Sequence, residues 1–551
     1  MTSQRSSSTE VTNQPPPYED VDLFSSDVPL AEAVKANGGG ADAKALANFG
    51  RRWGTAAMFA QARVANDDPP RLIAANGRLD VVEFNPAYHA FMAESVSAGL
   101  HSMTWKADGS RAAPPSEVER AARYYMVAQV ENGHMCPITM TRAAVAALAA
   151  DPKLLAMLMP KIGSRAYDPS FKPWSEKSGM TLGMGMTEKQ GGTDVRANTT
   201  RAEPAGEGYR ITGHKWFMSA PMCDAFLVLA QAQGESRFAG LTCFFMPRFD
   251  PDGRVNGLNF QKLKDKLGNR SNASSEVEFE NAFALRVGEE GKGIRTIVEM
   301  VQLTRLDCAI SSAGMMRMAL AQALHHARHR TVFQKKLADQ PMMGSVLADM
   351  ALEVEGALAL VMRLARAFDR AANDPAEAAY ARLFTSVIKY WVCKRAPPFV
   401  YEAMECLGGN GYVEDSRLPR LYREAPVNAI WEGSGNVMCL DVLRVLARDG
   451  EVARAAIAQL VRDADGLPGI AETAISIRDL LTGAQAENHA RLAVEKLAHL
   501  AAVAALRNSA PPVAVEAYAR TRLAGPRGAT FGAALIDSRE TAALLDRALP
   551  D

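Results

Sequence analysis

The 551-residue chain is 48% hydrophobic and 23% charged, a balance that allows three or four packed domains and makes disorder an unlikely default. Its 62 Lys and Arg residues match its 62 Asp and Glu residues, so no global positive field draws it to nucleic acid or an anionic membrane. Its seven cysteines are scattered with no CxxC pair, which excludes a disulfide framework or a clustered zinc site and reads as reduced, mostly buried thiols.

Residues 1 to about 20 are rich in Ser, Thr, Gln and Pro, too polar to bury a core, and read as a mobile tail or extended arm within an N-terminal extension spanning 1–40. Pro15-Pro16-Pro17-Tyr18 reads as a stiff, solvated leader. No stretch has the apolar core of a signal peptide, and no uncharged run approaches the roughly 20 residues of a membrane span. A cytoplasmic protein is expected.

Residues 41–180 have a helical texture, with Ala-rich and Leu-rich runs such as 142–151 broken by Gly, Pro and Asp. Residues 181–288 change to short β-forming runs, among them Phe226 to Leu229, Leu241 to Phe245 and the alternating Glu276 to Glu280. After the turn Gly288 to Gly293 helical spacing returns, and Ile294, Ile297, Val298 and Val301 are expected on one buried face. This helical domain is assigned to 289–446, and a further Ala-rich and Leu-rich helical region to 447–551. The order is helical, β, helical.

The segment Gly183 to Val195 is a short apolar strand leading into a loop with hydroxyls and two adjacent glycines. Such a loop admits a planar or phosphorylated cofactor closely, because glycine removes side-chain bulk and frees its N–H group. It is no GxGxxG fingerprint and lies in no βαβ unit, so a dinucleotide-binding Rossmann fold is rejected. Taken alone, the loop also reads as a tight turn, and Glu432 in Ile430-Trp-Glu-Gly-Ser-Gly-Asn436 also reads as a helix-capping residue.

Laid in order, these pieces resemble the acyl-CoA dehydrogenase family, in the wording of its AidB-type, alkylation-response branch. The resemblance covers most of the chain. It rests on Met186-Thr-Glu-Lys-Gln-Gly-Gly-Thr-Asp-Val195, Gly213 to Ser219, Lys264 to Ser274, the Gly288 to Gly293 turn, Arg330-Thr-Val-Phe333, Leu407-Gly-Gly-Asn-Gly-Tyr412 and Ile430 to Leu446. It implies an α+β multi-domain fold: an N-terminal helical domain, a central β-barrel or sandwich and a C-terminal four-helix bundle, with the additional helical region beyond.

The resemblance also implies FAD. Its expected contacts are Met186, Thr187, Glu188, Lys189, Gln190, Gly191, Gly192, Thr193, Asp194 and Val195 on the loop. On the following strand they are Trp216, Phe217, Ser219, Ala220 and Pro221. Around the carboxylate they are Ile430, Trp431, Gly433, Ser434, Gly435 and Asn436. Arg330, Phe333, Gly408 and Gly409 are implied to reach the FAD of a neighbouring subunit in a homotetramer, although Gln334 stands where the family usually has Gly.

Glu432 is the expected catalytic base. Abstraction of an α-proton from a thioester requires a carboxylate held over the substrate, while FAD accepts the β-hydride. His325, His326 and His329 lack a carboxylate partner and are read as a solvated or interface face, so no metal is expected. Met315, Met316 and Met318 are read as core filler.

The branch further implies double-stranded DNA bound through the C-terminal region, with DNA protected or alkylating agents inactivated by flavin-dependent dehydrogenation. Residues 441–551 carry 13 Lys and Arg against 14 Asp and Glu, so only a local cluster remains for phosphates, best formed by Arg520, Arg522 and Arg527. The alternative is a metabolic dehydrogenase of a short or branched acyl-CoA, similar to isovaleryl-CoA dehydrogenase, using Glu432. A third reading is an oxidase that passes electrons to oxygen.

Overall fold

The computed structural model describes residues 12–75, 77–232, 240–525 and 528–550. The N-terminal part contains α1 (Val28–Asn37), α2 (Ala43–Trp53), α3 (Ala56–Asp67), the hairpin β1 (Arg71–Ala75) and β2 (Arg78–Glu83), then α4 (Pro86–Ser97), α5 (Ser116–Ala128), α6 (Met135–Leu148) and α7 (Pro152–Ile162). Side chains of Asp27, Asp42, Thr55, Asn85 and Asp151 accept from the first-turn amides of their helices, so polar residues set these starts. The hairpin interrupts a segment expected to be mainly helical. Its signal is Asn76-Gly77 between two apolar runs, with Gly77 at φ +85.

The middle part is β3 (Leu182–Thr187), β4 (Arg201–Ala205), β5 (Gly208–Ser219), β6 (Ala225–Ala232), β7 (Gly240–Pro247), β8 (Leu258–Leu263) and β9 (Ser274–Val287). The order is β3-β5-β4-β6-β7-β9-β8, and β5 also pairs with β9. The ring β5-β4-β6-β7-β9 is therefore closed into a barrel, with β3 bridging β5 and β6. The runs 226–229 and 241–245 lie on β6 and β7, and all of their side chains are buried, which accounts for their continuous apolarity.

The C-terminal part begins with α8 (Gly293–His329), the hairpin β10 (Thr331–Val332) and β11 (Lys335–Lys336), α9 (Pro341–Arg370), α10 (Pro375–Cys406), α11 (Gly409–Tyr412), α12 (Leu418–Asn428) and α13 (Gly435–Arg448). It ends with α14 (Gly450–Asp463), α15 (Ile470–Thr482), α16 (Ala486–Ser509), α17 (Pro512–Ala519) and α18 (Ser538–Ala548). Helices α8, α9 and α10 pack along one another, α13 lies on α10, and α16 lies on α9, α10 and α13. Met315, Met316 and Met318 are fully buried in α8. The expected buried face at the start of α8 holds only in part: Ile297 is buried, but Ile294 and Val298 are exposed. No helix among the described residues is long and apolar enough to cross a membrane.

The leader is an arm from residue 12 onward. Asn13 pairs through its side chain with both the N–H and the carbonyl of Thr331, as a neighbouring strand would, and its own carbonyl accepts from Arg330. Gln14 Oε1 accepts from Asn410, Pro16 O bonds the His325 ring, and Tyr18 is buried with its carbonyl held by Arg417. On the histidine face of α8 the arm thus covers His325, while His329 stays exposed.

The last helices dock through buried ion pairs, and this overturns one expectation. Arg522 side-chain exposure is 0%; it pairs with Asp349 and, at 3.2 Å, with Glu353 on α9. Arg520 is held in a fork by both oxygens of Glu540, at 2.6 and 2.7 Å. Arg522 is sealed in the core and cannot reach a phosphate, whereas Arg520, though paired with Glu540, keeps 41% of its side chain exposed. Arg527 lies outside the described residues.

Candidate active site

Glu432 occupies the turn between α12 and α13 at φ +57, followed by Gly433 at φ +104. A non-glycine residue in this left-handed region costs about 1–2 kcal/mol and persists only where its surroundings hold it. Here the main chain is pinned on both sides. Arg305 Nε on α8 donates to the Glu432 carbonyl at 3.0 Å, and Lys389 Nζ on α10 donates to the Trp431 carbonyl at 2.8 Å and also to that of Gly433. Arg305 is itself fixed by Asp441 of α13 at 3.2 Å.

The half-buried Glu432 side chain is turned towards α8, where Thr304 Oγ1 donates to Oε2 at 2.7 Å. Beside it lies a cavity of about 50 Å³, whose wall includes Glu432, Trp431, Cys136, Cys308 and, from the barrel, Ser219. In the barrel Thr187 pairs with Phe217 and Met184 with Ser219. The end of β5 and the Glu432 turn therefore converge on one cavity, although they are separated by more than two hundred residues in sequence.

Within that convergence the expected contacts divide. Lys189, Gln190, Gly191, Gly192, Thr193 and Asp194 form an exposed loop, with Gly191 at φ +136 and no atom where its Cβ would lie; Met186, Thr187 and Val195 flank it, half-buried. Trp216 and Phe217 carry Lys264 against their rings at 3.4 and 4.6 Å, and 46% of Phe217 stays exposed. Ile430 is exposed, Trp431 Nε1 donates to Asn428 at 2.9 Å, and Ser434 and Gly435 begin α13.

Glu188 is a correction. It is fully buried, pairs with Lys215 at 2.8 Å, and accepts from Thr199, Thr200 and Gln190. Burial pushes its carboxyl up, but Lys215 and these donors override that and hold it at about 2. Its side chain ties the loop to β5, with its acceptors taken up inside the protein. Ala220 and Pro221 are buried too, so they shape the strand end through the main chain, and Asn436 Oδ1 already accepts from Arg491 at 2.8 Å.

Arg330, Phe333, Gly408 and Gly409 form a separate cluster. Arg330 follows the last turn of α8, 26 residues beyond Thr304, or about 40 Å along the axis, too far to share one flavin ring with Glu432. The arm joins this cluster, bonding Arg330 through Asn13 and Asn410 through Gln14. Phe333 is 90% exposed on a two-residue turn in which both Phe333 (φ +51) and Gln334 (φ +65) are left-handed, and the Cβ positions of Gly408 and Gly409 meet open space.

Thr304, Arg305, Lys389 and Asp441 were not found from the sequence. Their signal is charge inside apolar helices, as in Leu303-Thr-Arg-Leu-Asp307, where a buried face would otherwise be all apolar.

The residues present fit a flavin. Phe217 and Ile430 keep apolar surface uncovered, and an exposed loop with two adjacent glycines follows β3 beside β5, which suits a flat ring with a phosphorylated tail. Residues 13–169 match the adaptive response protein AidB N-terminal domain, residues 183–282 the acyl-CoA dehydrogenase middle domain, and residues 291–447 the acyl-CoA dehydrogenase C-terminal domain. The chain is 52% identical over 454 residues to the putative acyl-CoA dehydrogenase AidB of Escherichia coli (strain K12), covering 80% of this chain and 81% of that protein. It is 34% identical over 345 residues to acyl-CoA dehydrogenase family member 11 of Caenorhabditis elegans, covering 60% of this chain and 54% of that one. The crystal structure of Caenorhabditis elegans ACDH-11 in complex with C11-CoA superposes with a TM-score of 0.84 at 27% identity, covering 95% of each chain. The chain therefore belongs to the acyl-CoA dehydrogenase family, in its AidB branch, and is an FAD-dependent oxidoreductase.

Proposed function

We propose that the protein dehydrogenates an acyl-CoA between Cα and Cβ, with Glu432 as the base that removes the α-proton. The observation that carries this reading is the carboxylate itself: it faces a cavity shared with Ser219 of the barrel and takes one side-chain donor, Thr304. Bound FAD would lie against the Phe217 side of the cleft and supply the acceptor for the β-hydride. Arg305 and Lys389 hold the Glu432 turn, so the base keeps its aim without reorganising during proton transfer. A solved relative carrying C11-CoA supports a CoA thioester as the substrate class. Anaerobic mixing of the FAD-loaded protein with an acyl-CoA tests the reading: the flavin absorbance bleaches, and Glu432→Gln slows bleaching by about 10²–10⁴-fold. Undiminished bleaching in that variant removes Glu432 from the reaction.

The cluster of Phe333, Gly408 and Gly409, with neighbouring Tyr412 80% exposed, is the surface we assign to a second subunit and its FAD in a homotetramer. The AidB relationship favours a further role, association with double-stranded DNA in an alkylation response. Arg522 lends it no support, being buried against Asp349 and Glu353, while Arg520 is paired with Glu540 at a partly exposed position. A salt-titrated duplex-binding assay decides it, and no binding at low salt ends that reading.

A further inference from the structure

The N-terminal arm ends on the cluster of Arg330, Phe333, Gly408 and Gly409 and holds both of its halves. Asn13 pairs with Thr331 of the hairpin, its Nδ2 donating to the carbonyl at 2.8 Å and its Oδ1 accepting from the N–H at 2.7 Å. The next residue, Gln14, accepts from Asn410 of the α10–α11 turn at 3.1 Å. Among the described residues no hydrogen bond runs directly between the 330–336 hairpin and the 408–412 turn, so these two side chains bridge them. Asn13 is left-handed at φ +58, a conformation asparagine tolerates better than most residues. It is kept in place by the anchor that follows: the Pro16 carbonyl lies on the His325 ring at 2.8 Å, and buried Tyr18 packs against the same ring at 5.3 Å.

The arm fixes Arg330 without discharging it. Nη1 of this half-buried arginine donates to the Asn13 carbonyl at 2.9 Å, and a carbonyl is a neutral acceptor. Arg520, by contrast, is closed by both oxygens of Glu540. Residues 330–336, Arg-Thr-Val-Phe-Gln-Lys-Lys, hold three cations and no acid, and among the described residues no carboxylate pairs with Arg330, Lys335 or Lys336. A guanidinium has five N–H donors in a rigid fork, so one corner can be tethered while the rest stays ready for an anion. Exposed Phe333 and the open backbone of Gly408 and Gly409 offer a flat group room to approach.

Resting on the assignment of this cluster to a second subunit and its FAD, we propose that the arm is a positioning element of that site, in which Asn13 aims Arg330 at the diphosphate of the partner's FAD. Asn13 acts through Arg330: its side chain grips Thr331, and its carbonyl then sits under the guanidinium.

The test titrates FAD, and separately riboflavin, which lacks the diphosphate, into the full-length protein freed of flavin, read by calorimetry. Asn13→Ala keeps the carbonyl but loses the two bonds that hold it in place, and should weaken FAD by about 10-fold, the loss expected of one charge-assisted hydrogen bond, with riboflavin unchanged. A chain lacking residues 2–14 loses the carbonyl as well and should weaken FAD at least as far. In an Arg330→Ala background, Asn13→Ala should have no further effect, because the two residues act as a unit. Unchanged FAD affinity in Asn13→Ala beside a loss in Arg330→Ala overturns the role of the arm and leaves the second-subunit assignment standing. Losses that add in the double variant, or an equal loss for riboflavin, also overturn it. FAD affinity unchanged in Arg330→Ala overturns that assignment and the role of the arm with it.

Discussion

Glu188 and Glu432 both belong to stretches that resemble flavin-contacting segments, yet the structure uses them in opposite ways. Glu188 is sealed between barrel strands with Lys215 and several hydroxyl, amide and backbone donors, so its lone pairs are spent. Glu432 is half-buried, takes Thr304 as its side-chain donor and faces a cavity, while its main chain bears the constraint. A carboxylate with saturated acceptors holds a loop; one with spare acceptors and a fixed backbone is free to take a proton. Arg522 repeats the lesson in the last helices, where an arginine assigned to a phosphate-binding cluster in sequence is a buried clasp on α9.

The largest effect expected from this contrast is on chemistry. Glu432→Gln should lower the rate of flavin reduction by the factor given above while changing the unfolding midpoint little, because the side chain contributes one hydrogen bond to a turn held by Arg305 and Lys389. A large loss of stability would place Glu432 with Glu188 instead.

Next in size are the buried pairs. Arg522→Ala leaves Asp349 and Glu353 buried without their shared guanidinium and should cost about 3–5 kcal/mol in denaturant unfolding. Duplex affinity, measured where the variant is folded, should not change.

Glu188→Gln strands the Lys215 charge, with a penalty of the same order, about 3–5 kcal/mol at neutral pH. Its pH signature is specific. The folded-state pKa lies below the ordinary value of 4.5, so the carboxylate's stabilisation is complete above that value and fades as pH falls towards about 2. Melting temperatures measured across this window should drop more steeply for the wild type than for the variant. Parallel curves would mean that Glu188 does not carry the linkage.

The smallest effect concerns strain away from the site. Gln334 is left-handed like Glu432, but on an exposed hairpin, and Gln334→Gly should stabilise by about 0.5–1 kcal/mol in denaturant unfolding. Destabilisation would show that the Gln334 side chain makes a contact worth more than its backbone strain.

Local pattern made much of this architecture legible. Alternation and continuous apolar runs marked β6, β7 and β9, and the Gly288 to Gly293 turn marked the start of α8. Glu432 was singled out through the family resemblance of Ile430 to Asn436, since its local pattern alone also reads as a helix-capping turn. The unread parts depend on partners far away in sequence. Arg522 looks solvated until α9 brings Asp349 and Glu353 to it, and Lys389 looks like any helical lysine until α10 places it under two carbonyls of the Glu432 turn. The polar leader read as a mobile tail or an extended arm, and hydropathy does not register what decides between them: Asn13 docks by imitating a strand edge. The exposure of Ile294 and Val298 shows the converse: a helical apolar stripe fixes a face, not what covers it.

The central claim is that a carboxylate at position 432 takes the α-proton of a CoA thioester across the cleft from the barrel. Stopped-flow mixing of the anaerobic, FAD-loaded protein with butyryl-CoA and its α-deuterated form tests it most directly. The account predicts bleaching of the flavin that slows on deuteration and is lost in Glu432→Gln; bleaching at the same rate in the wild type and the variant, with no isotope effect, would contradict it.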